Sequence, residues 1–113
     1  MAKREIPELK LAFAIPNGGH RHISVAIGLK NEGVKAGVPD IFIPVARNGY
    51  HGIFIEMKRP GGHLEAHQTV WLNDLAIQKY FAYCCHSCDE AIELTKYYFG
   101  KGDIPKGLVY AGA

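Results

Sequence analysis

Gly37-Val38-Pro39-Asp40-Ile41-Phe42-Ile43-Pro44-Val45-Ala46-Arg47-Asn48-Gly49-Tyr50-His51-Gly52-Ile53-Phe54-Ile55-Glu56-Met57-Lys58 is the stretch on which the fold turns. Two apolar runs, 41–45 and 53–55, are rich in β-branched and aromatic residues, and Arg47-Asn48-Gly49-Tyr50 between them is a turn signal. The spacing predicts a β-hairpin with a loop of several residues. Side chains alternate along a strand, so Glu56 and Lys58, separated by Met57, share one face. Folding the hairpin about Asn48 or Gly49 returns Asp40 to their side. Two acids and a lysine are therefore expected to converge at the open end of an apolar hairpin.

Two carboxylates a few ångströms apart repel, and burying them costs several kcal/mol unless a cation or a proton lies between them. A hard divalent ion such as Mg²⁺ answers that need with oxygen ligands. A neighbouring lysine can orient and deprotonate water or balance the charge of a phosphate. Acids, ion and lysine together are the equipment for phosphodiester hydrolysis. An isolated Glu-x-Lys is usually an ordinary surface pair; the larger pattern, Pro39-Asp40, a hairpin, then Glu56-Met57-Lys58, is harder to explain that way.

This pattern resembles the signature of the PD-(D/E)xK nuclease superfamily. The flanking words Ile15-Pro16-Asn17-Gly18-Gly19, the run from Leu29 to Asp40, and Gln68 four residues before Leu72 are similar to its VRR-NUC branch, in the short standalone form of phages and bacteria. The resemblance spans roughly 12–98. It implies an α/β, restriction-endonuclease-like core: a mixed sheet of about four strands flanked by helices. It further implies a DNA endonuclease dependent on Mg²⁺ or Mn²⁺, with Asp40, Glu56 and the Met57 backbone carbonyl as metal ligands. Lys58 would activate the attacking water, with Gln68 against the catalytic centre. A homodimer acting on branched DNA, Holliday junctions foremost, is expected, with no small-molecule cofactor. Relatives usually begin with a helix that carries a further acid to the metal. Here Pro7-Glu8-Leu9 already resembles the segment after that helix, leaving Glu5 or Glu8 as substitutes.

At 113 residues the chain is read as one domain, 1–113, and its 48% hydrophobic and 21% charged residues exclude a disordered polyelectrolyte. No apolar run approaches the length of a membrane span and no signal-type core follows Met1, so a cytoplasmic location without membrane partners is expected. A net charge of +2 is too small to announce nucleic-acid binding, so DNA attraction must come from local clusters. Cys85-His86-Ser87-Cys88 has C-x-x-C spacing, but no second ligand pair accompanies it, and buried reduced thiols at a strand end are the expectation for Cys84, Cys85 and Cys88.

In chain order, Pro7 argues against an early helix and 10–15 reads as a strand. Asn17, Gly18 and Gly19 form either a tight turn or a surface that DNA approaches closely, with His20 and Arg21 beside it. Ile23, Ala26, Ile27 and Lys30 share a helical face over 22–32, closed by Gly33. Lys30 and Lys35 flank the approach to Asp40, and Arg59 follows the catalytic strand. Asn17, Gly18, Arg21, Lys30, Lys35 and Arg59 are thus the candidate DNA contacts. After the 59–62 turn, Leu64, Trp71, Leu72 and Leu75 mark a helix over 64–78. Gln68 lies on that stripe and needs partners for both its oxygen and its nitrogen. A parallel strand at 80–85 should follow. Ser87-Cys88-Asp89-Glu90 reads as a capping box opening a helix to about Phe99, ended by Gly100. The 101–113 tail is rich in small residues, and Leu108-Val109-Tyr110 is a candidate short strand or dimer contact. The alternative to an enzyme is a DNA-binding or assembly module that keeps the fold without catalysis.

Overall fold

The computed structural model describes residues 5–16 and 35–108. The predicted hairpin is its centre. β2 (Ile41–Ile43) and β3 (Ile53–Met57) pair antiparallel in the register Ile41–Ile55, Phe42–Phe54 and Ile43–Ile53. Arg47 and Tyr50 exchange backbone hydrogen bonds of 3.1 and 2.8 Å across the turn. Asn48 and Gly49 between them have φ of 51° and 85°. Positive φ at both central positions gives a turn whose twist matches the strands, and Asn-Gly is the pair that tolerates it best. β2 stops at Ile43 rather than reaching Val45, because Pro44 has no N–H to give to a ladder.

β1 (Phe13–Ala14) lies antiparallel on the outer edge of β2, and β4 (Phe81–Cys85) lies parallel on the other side of β3. The order is β1-β2-β3-β4, the mixed four-stranded α/β sheet expected. α1 (Ala66–Ile77) makes the crossover between β3 and β4, and α2 (Cys88–Tyr98) follows β4. The period of two then sorts the side chains. Ile53 and Ile55 face a core with Ile43, Phe81, Leu94 and Tyr98, on the α2 side. Phe54 faces the other way, packed on Leu72, Ala82 and Cys84, on the α1 side. Glu56 has the parity of Phe54 and is therefore carried to the α1 face. The Tyr98 hydroxyl donates to the Val45 carbonyl at 2.6 Å and ties α2 to the hairpin.

Several boundaries differ from expectation. Residues 7–11 form a 3-10 turn (Pro7–Leu11), so the strand predicted at 10–15 shrinks to two residues. Pro7 opens that turn instead of breaking it: at a first helical position its missing N–H is not needed and its φ is already set. α1 runs two residues shorter at its start than 64–78, and of its apolar stripe only Leu72 is fully buried. Ser87 caps α2 through its hydroxyl, which accepts from the Glu90 N–H at 3.0 Å. The Glu90 carboxylate reaches the His86 N–H instead of Ser87, so only half of the capping box forms. The helix read at 22–32 and the Val109-Tyr110 part of the tail lie outside the described residues; Leu108 packs against the α2-side core. No helix among the described residues is long and apolar enough to cross a membrane.

Candidate active site

β2 and β3 in this register place Asp40 opposite Glu56, one step beyond the Ile41–Ile55 pair. Asp40 Oδ2 accepts from the Met57 N–H at 2.9 Å, which pins the acid to the C-terminal end of β3. Within a strand a residue's N–H and C=O leave on the same edge. The Met57 carbonyl is therefore directed to the Asp40 side as well. Asp40's own carbonyl accepts from the Ile15 N–H at 2.7 Å, so β1 braces the same point.

Glu56 is only 3% exposed. Its Oε2 receives the Gln68 Nε2–H at 3.2 Å and lies 3.9 Å from Lys58 Nζ. Its Oε1 is buried without a hydrogen-bond partner. Burial, reinforced by the nearby Asp40 carboxylate, pushes the Glu56 carboxyl from 4.5 up to about 7; Lys58 opposes this and does not cancel it. Gln68 is oriented from both ends, because its Oε1 accepts from the Glu65 N–H at 2.9 Å. That backbone donor fixes which end of the amide is oxygen and turns the nitrogen toward Glu56. Gln68, only partly buried, thus finds its two partners in Glu65 and Glu56.

Glu65 was not singled out by the sequence reading. It is the N-cap of α1, and its charge adds to the field that raises the Glu56 carboxyl. The E-x-x-Q spacing of a capping box, Glu65 to Gln68, was the available signal. Gly37 was also passed over as a site residue. Its φ is +92°, and an added Cβ would come within 2.6 Å of His67 Cδ2 and 2.8 Å of Trp71 Cδ1. The approach to Asp40 therefore lies directly against the first turns of α1. His67 is half exposed, with Nε2 3.3 Å from Glu65 Oε2.

Neither candidate for a third acid turns toward this cluster. Glu8 pairs with Arg47 at the hairpin turn, the opposite end of the ribbon, and Glu5 pairs with Lys96 of α2 at 3.5 Å. Among the described residues, no set of three or more His, Cys, Asp or Glu side chains forms a ready-made metal cage. Cys88, expected to be a buried thiol, is exposed at the first position of α2. Cys84 and Cys85 are buried and free, and desolvation pushes their thiols up to about 11 and about 12, which makes them inert. Of the candidate DNA contacts, Lys35 and Arg59 are exposed, while Asn17, Gly18, Arg21 and Lys30 lie outside the described residues.

The oxygen donors at this end of the hairpin suit a hard divalent ion: two carboxylates, one with an unpartnered buried oxygen, and a backbone carbonyl on the same edge. Comparison with known proteins bears on the family and the fold. A family model described as the VRR-NUC domain matches residues 4–89. A solved structure described as "VRR_NUC domain protein" superposes with a TM-score of 0.70 at 30% identity, covering 85% of this chain and 73% of that one. No functionally curated protein matches the sequence. With the match spanning most of its length and the fold shared, this chain belongs to the VRR-NUC family, a nuclease-type domain.

Proposed function

We propose that the chain is a DNA endonuclease dependent on Mg²⁺ or Mn²⁺, with Asp40, Glu56 and the Met57 carbonyl as metal ligands. The observation that carries this reading is the buried, unpartnered oxygen of Glu56, a residue the strand register sets opposite Asp40. A carboxylate held that way costs several kcal/mol unless a cation completes it. When bound, the ion supplies Lewis-acid charge at a scissile phosphate and lowers the pKa of water. Lys58 orients the attacking water and offsets the negative charge that grows on phosphorus. Gln68 holds the Glu56 carboxylate in place from α1, and its second bond to Glu65 keeps it from rotating away. Exposed Lys35 and Arg59 bind backbone phosphates, together with Asn17, Gly18, Arg21 and Lys30. The preferred substrate is branched DNA, four-way junctions foremost. It is cut by a homodimer whose two-fold axis matches paired nicks, with the whole chain, 1–113, acting as one domain.

The test is incubation of the full chain with labelled linear, flap and four-way-junction DNA, with each metal in turn. Cleavage should require Mg²⁺ or Mn²⁺ and stop in excess EDTA. Lys58→Ala should lower the cleavage rate by about a thousandfold or more while DNA affinity changes only a few-fold. Undiminished cutting by that variant would remove the lysine from the chemistry. The engagement of Glu5 and Glu8 elsewhere favours a second reading, a DNA-binding module without catalysis. That module would bind DNA, cut nothing with any metal, and take up no Mn²⁺ at Glu56.

A further inference from the structure

β3 and β4 end side by side, with Met57 in register with Cys85 and the Lys58 N–H donating to the Cys85 carbonyl at 2.8 Å. From there the β3 chain turns through Arg59-Pro60-Gly61-Gly62 into α1, while the β4 chain passes through His86 into α2. The turn closes on itself by the Gly62 N–H donating to the Arg59 carbonyl at 2.9 Å. Gly62 also lies against the root of the lysine: a Cβ added there would stand 3.0 Å from the Arg59 oxygen and 3.4 Å from Lys58 Cβ. One side chain from β4 reaches across to this turn. His86 Nε2 is 3.0 Å from the Gly62 carbonyl, and since a carbonyl only accepts, Nε2 must carry the proton. The His86 backbone is fixed in turn by its N–H donating to Glu90 Oε1 at 3.1 Å, on the first turn of α2. The proposed chemistry itself uses neither His86 nor Glu90.

We propose that His86 is a positioning residue for Lys58. Through its bond to Gly62 it holds the 59–62 turn against the lysine and keeps the ammonium group beside Glu56. The inference rests on the nuclease reading above. The path is short: Glu90 of α2 holds the His86 backbone, the His86 ring holds the Gly62 carbonyl, and Gly62 stands where an added Cβ would be 3.4 Å from Lys58 Cβ. Without the His86 donor, the Gly62 carbonyl has water in its place and the glycine-rich turn loses this tie to the segment after β4. Lys58 would still be present and charged, but its time at the correct position would fall. The expected signature is therefore a loss of turnover with little loss of substrate binding.

The experiment measures steady-state cleavage of a labelled DNA substrate with Mn²⁺ by the full chain, His86→Ala and His86→Gln. Glutamine places an N–H donor the same number of bonds from Cα as Nε2. His86→Ala should lower kcat about tenfold or more with KM within about twofold, and His86→Gln should recover most of that loss. Gly62→Ala, which presses a methyl onto the Arg59 carbonyl and so shifts the turn that His86 holds, should reproduce the kcat defect from the other side of the bond. Thermal melting separates a general loss of fold. If His86→Gln melts like His86→Ala and is equally slow, the role is structural and the proposal is overturned. If the wild type cleaves and His86→Ala keeps its kcat, this inference alone fails. If the wild type cleaves nothing, the nuclease reading falls and takes this inference with it.

Discussion

At Glu56 the folded chain favours the protonated carboxyl, because burial and the Asp40 charge lift it from 4.5 to about 7. Below pH 4.5 the group is protonated in both folded and unfolded chains, and its stability contribution is fully present. Between 4.5 and 7 the unfolded chain releases the proton while the folded chain retains it, so stability is lost as pH rises. Above about 7 the loss is complete. A shift of this size corresponds to about 3 kcal/mol for a single group. Glu56→Gln has no proton to release and keeps an acceptor for Gln68. Urea unfolding of the metal-free proteins should therefore show wild type losing about 3 kcal/mol relative to the variant between pH 4.5 and 8. A difference that stays flat over that range would mean Glu56 ionises as freely folded as unfolded. The penalty is sensible only for a residue whose charge is wanted when something binds.

At the level of elements, the site depends on how closely the approach to Asp40 packs on α1. Gly37 has a positive φ and no room for a methyl beside His67 and Trp71, whereas Gly61, with φ +80°, has nothing within 4 Å. Gly61→Ala should cost only backbone strain, about 1 kcal/mol, and leave the site intact. Gly37→Ala should cost clearly more and push Asp40 away from Gln68, lowering Mn²⁺ affinity as well as the melting temperature. Equal melting and equal metal affinity for the two variants would contradict the packing argument. The contrast also shows what was readable in the residues alone. The hairpin, its Asn48-Gly49 turn, the shared face of Glu56 and Lys58, and the parallel β4 all follow from local alternation and turn chemistry. Gln68 was readable because a glutamine on an apolar stripe must find partners. Gly37 and Glu65 were not, since their roles come from contacts across elements that no local period encodes. The early strand was overextended because Pro7 breaks a helix interior but also starts a helical turn, and only the burial of Ile6 and Leu9 decides between them. Glu5 and Glu8 were candidates on sequence position alone; their pairing with Lys96 and Arg47 is a matter of where the 3-10 turn lies.

For the whole molecule, a net charge of +2 spread over 113 residues gives DNA little general attraction, and in the proposed site a bound metal would add stability as well as chemistry. A protein of this size has only about 5–15 kcal/mol of stability in all, and an ionised Glu56 without a cation removes a substantial part of it. Any ion that binds the folded state and not the unfolded one restores stability by mass action, about 2.7 kcal/mol when present at a hundred times its dissociation constant. At pH 8 the ion meets a carboxylate that is already ionised; at pH 5 it must first displace the proton, because the folded pKa is about 7. Saturating Mn²⁺ at constant ionic strength should therefore raise the melting temperature by several degrees at pH 8 and hardly at all at pH 5. Glu56→Gln should show no such rise at either pH, while Lys58→Ala, which leaves the oxygen donors in place, should show it in full. This measurement needs no DNA and no turnover, so it tests the metal site apart from the chemistry built on it. An Mn²⁺ shift of the same size in Glu56→Gln would place the ion somewhere else on the surface.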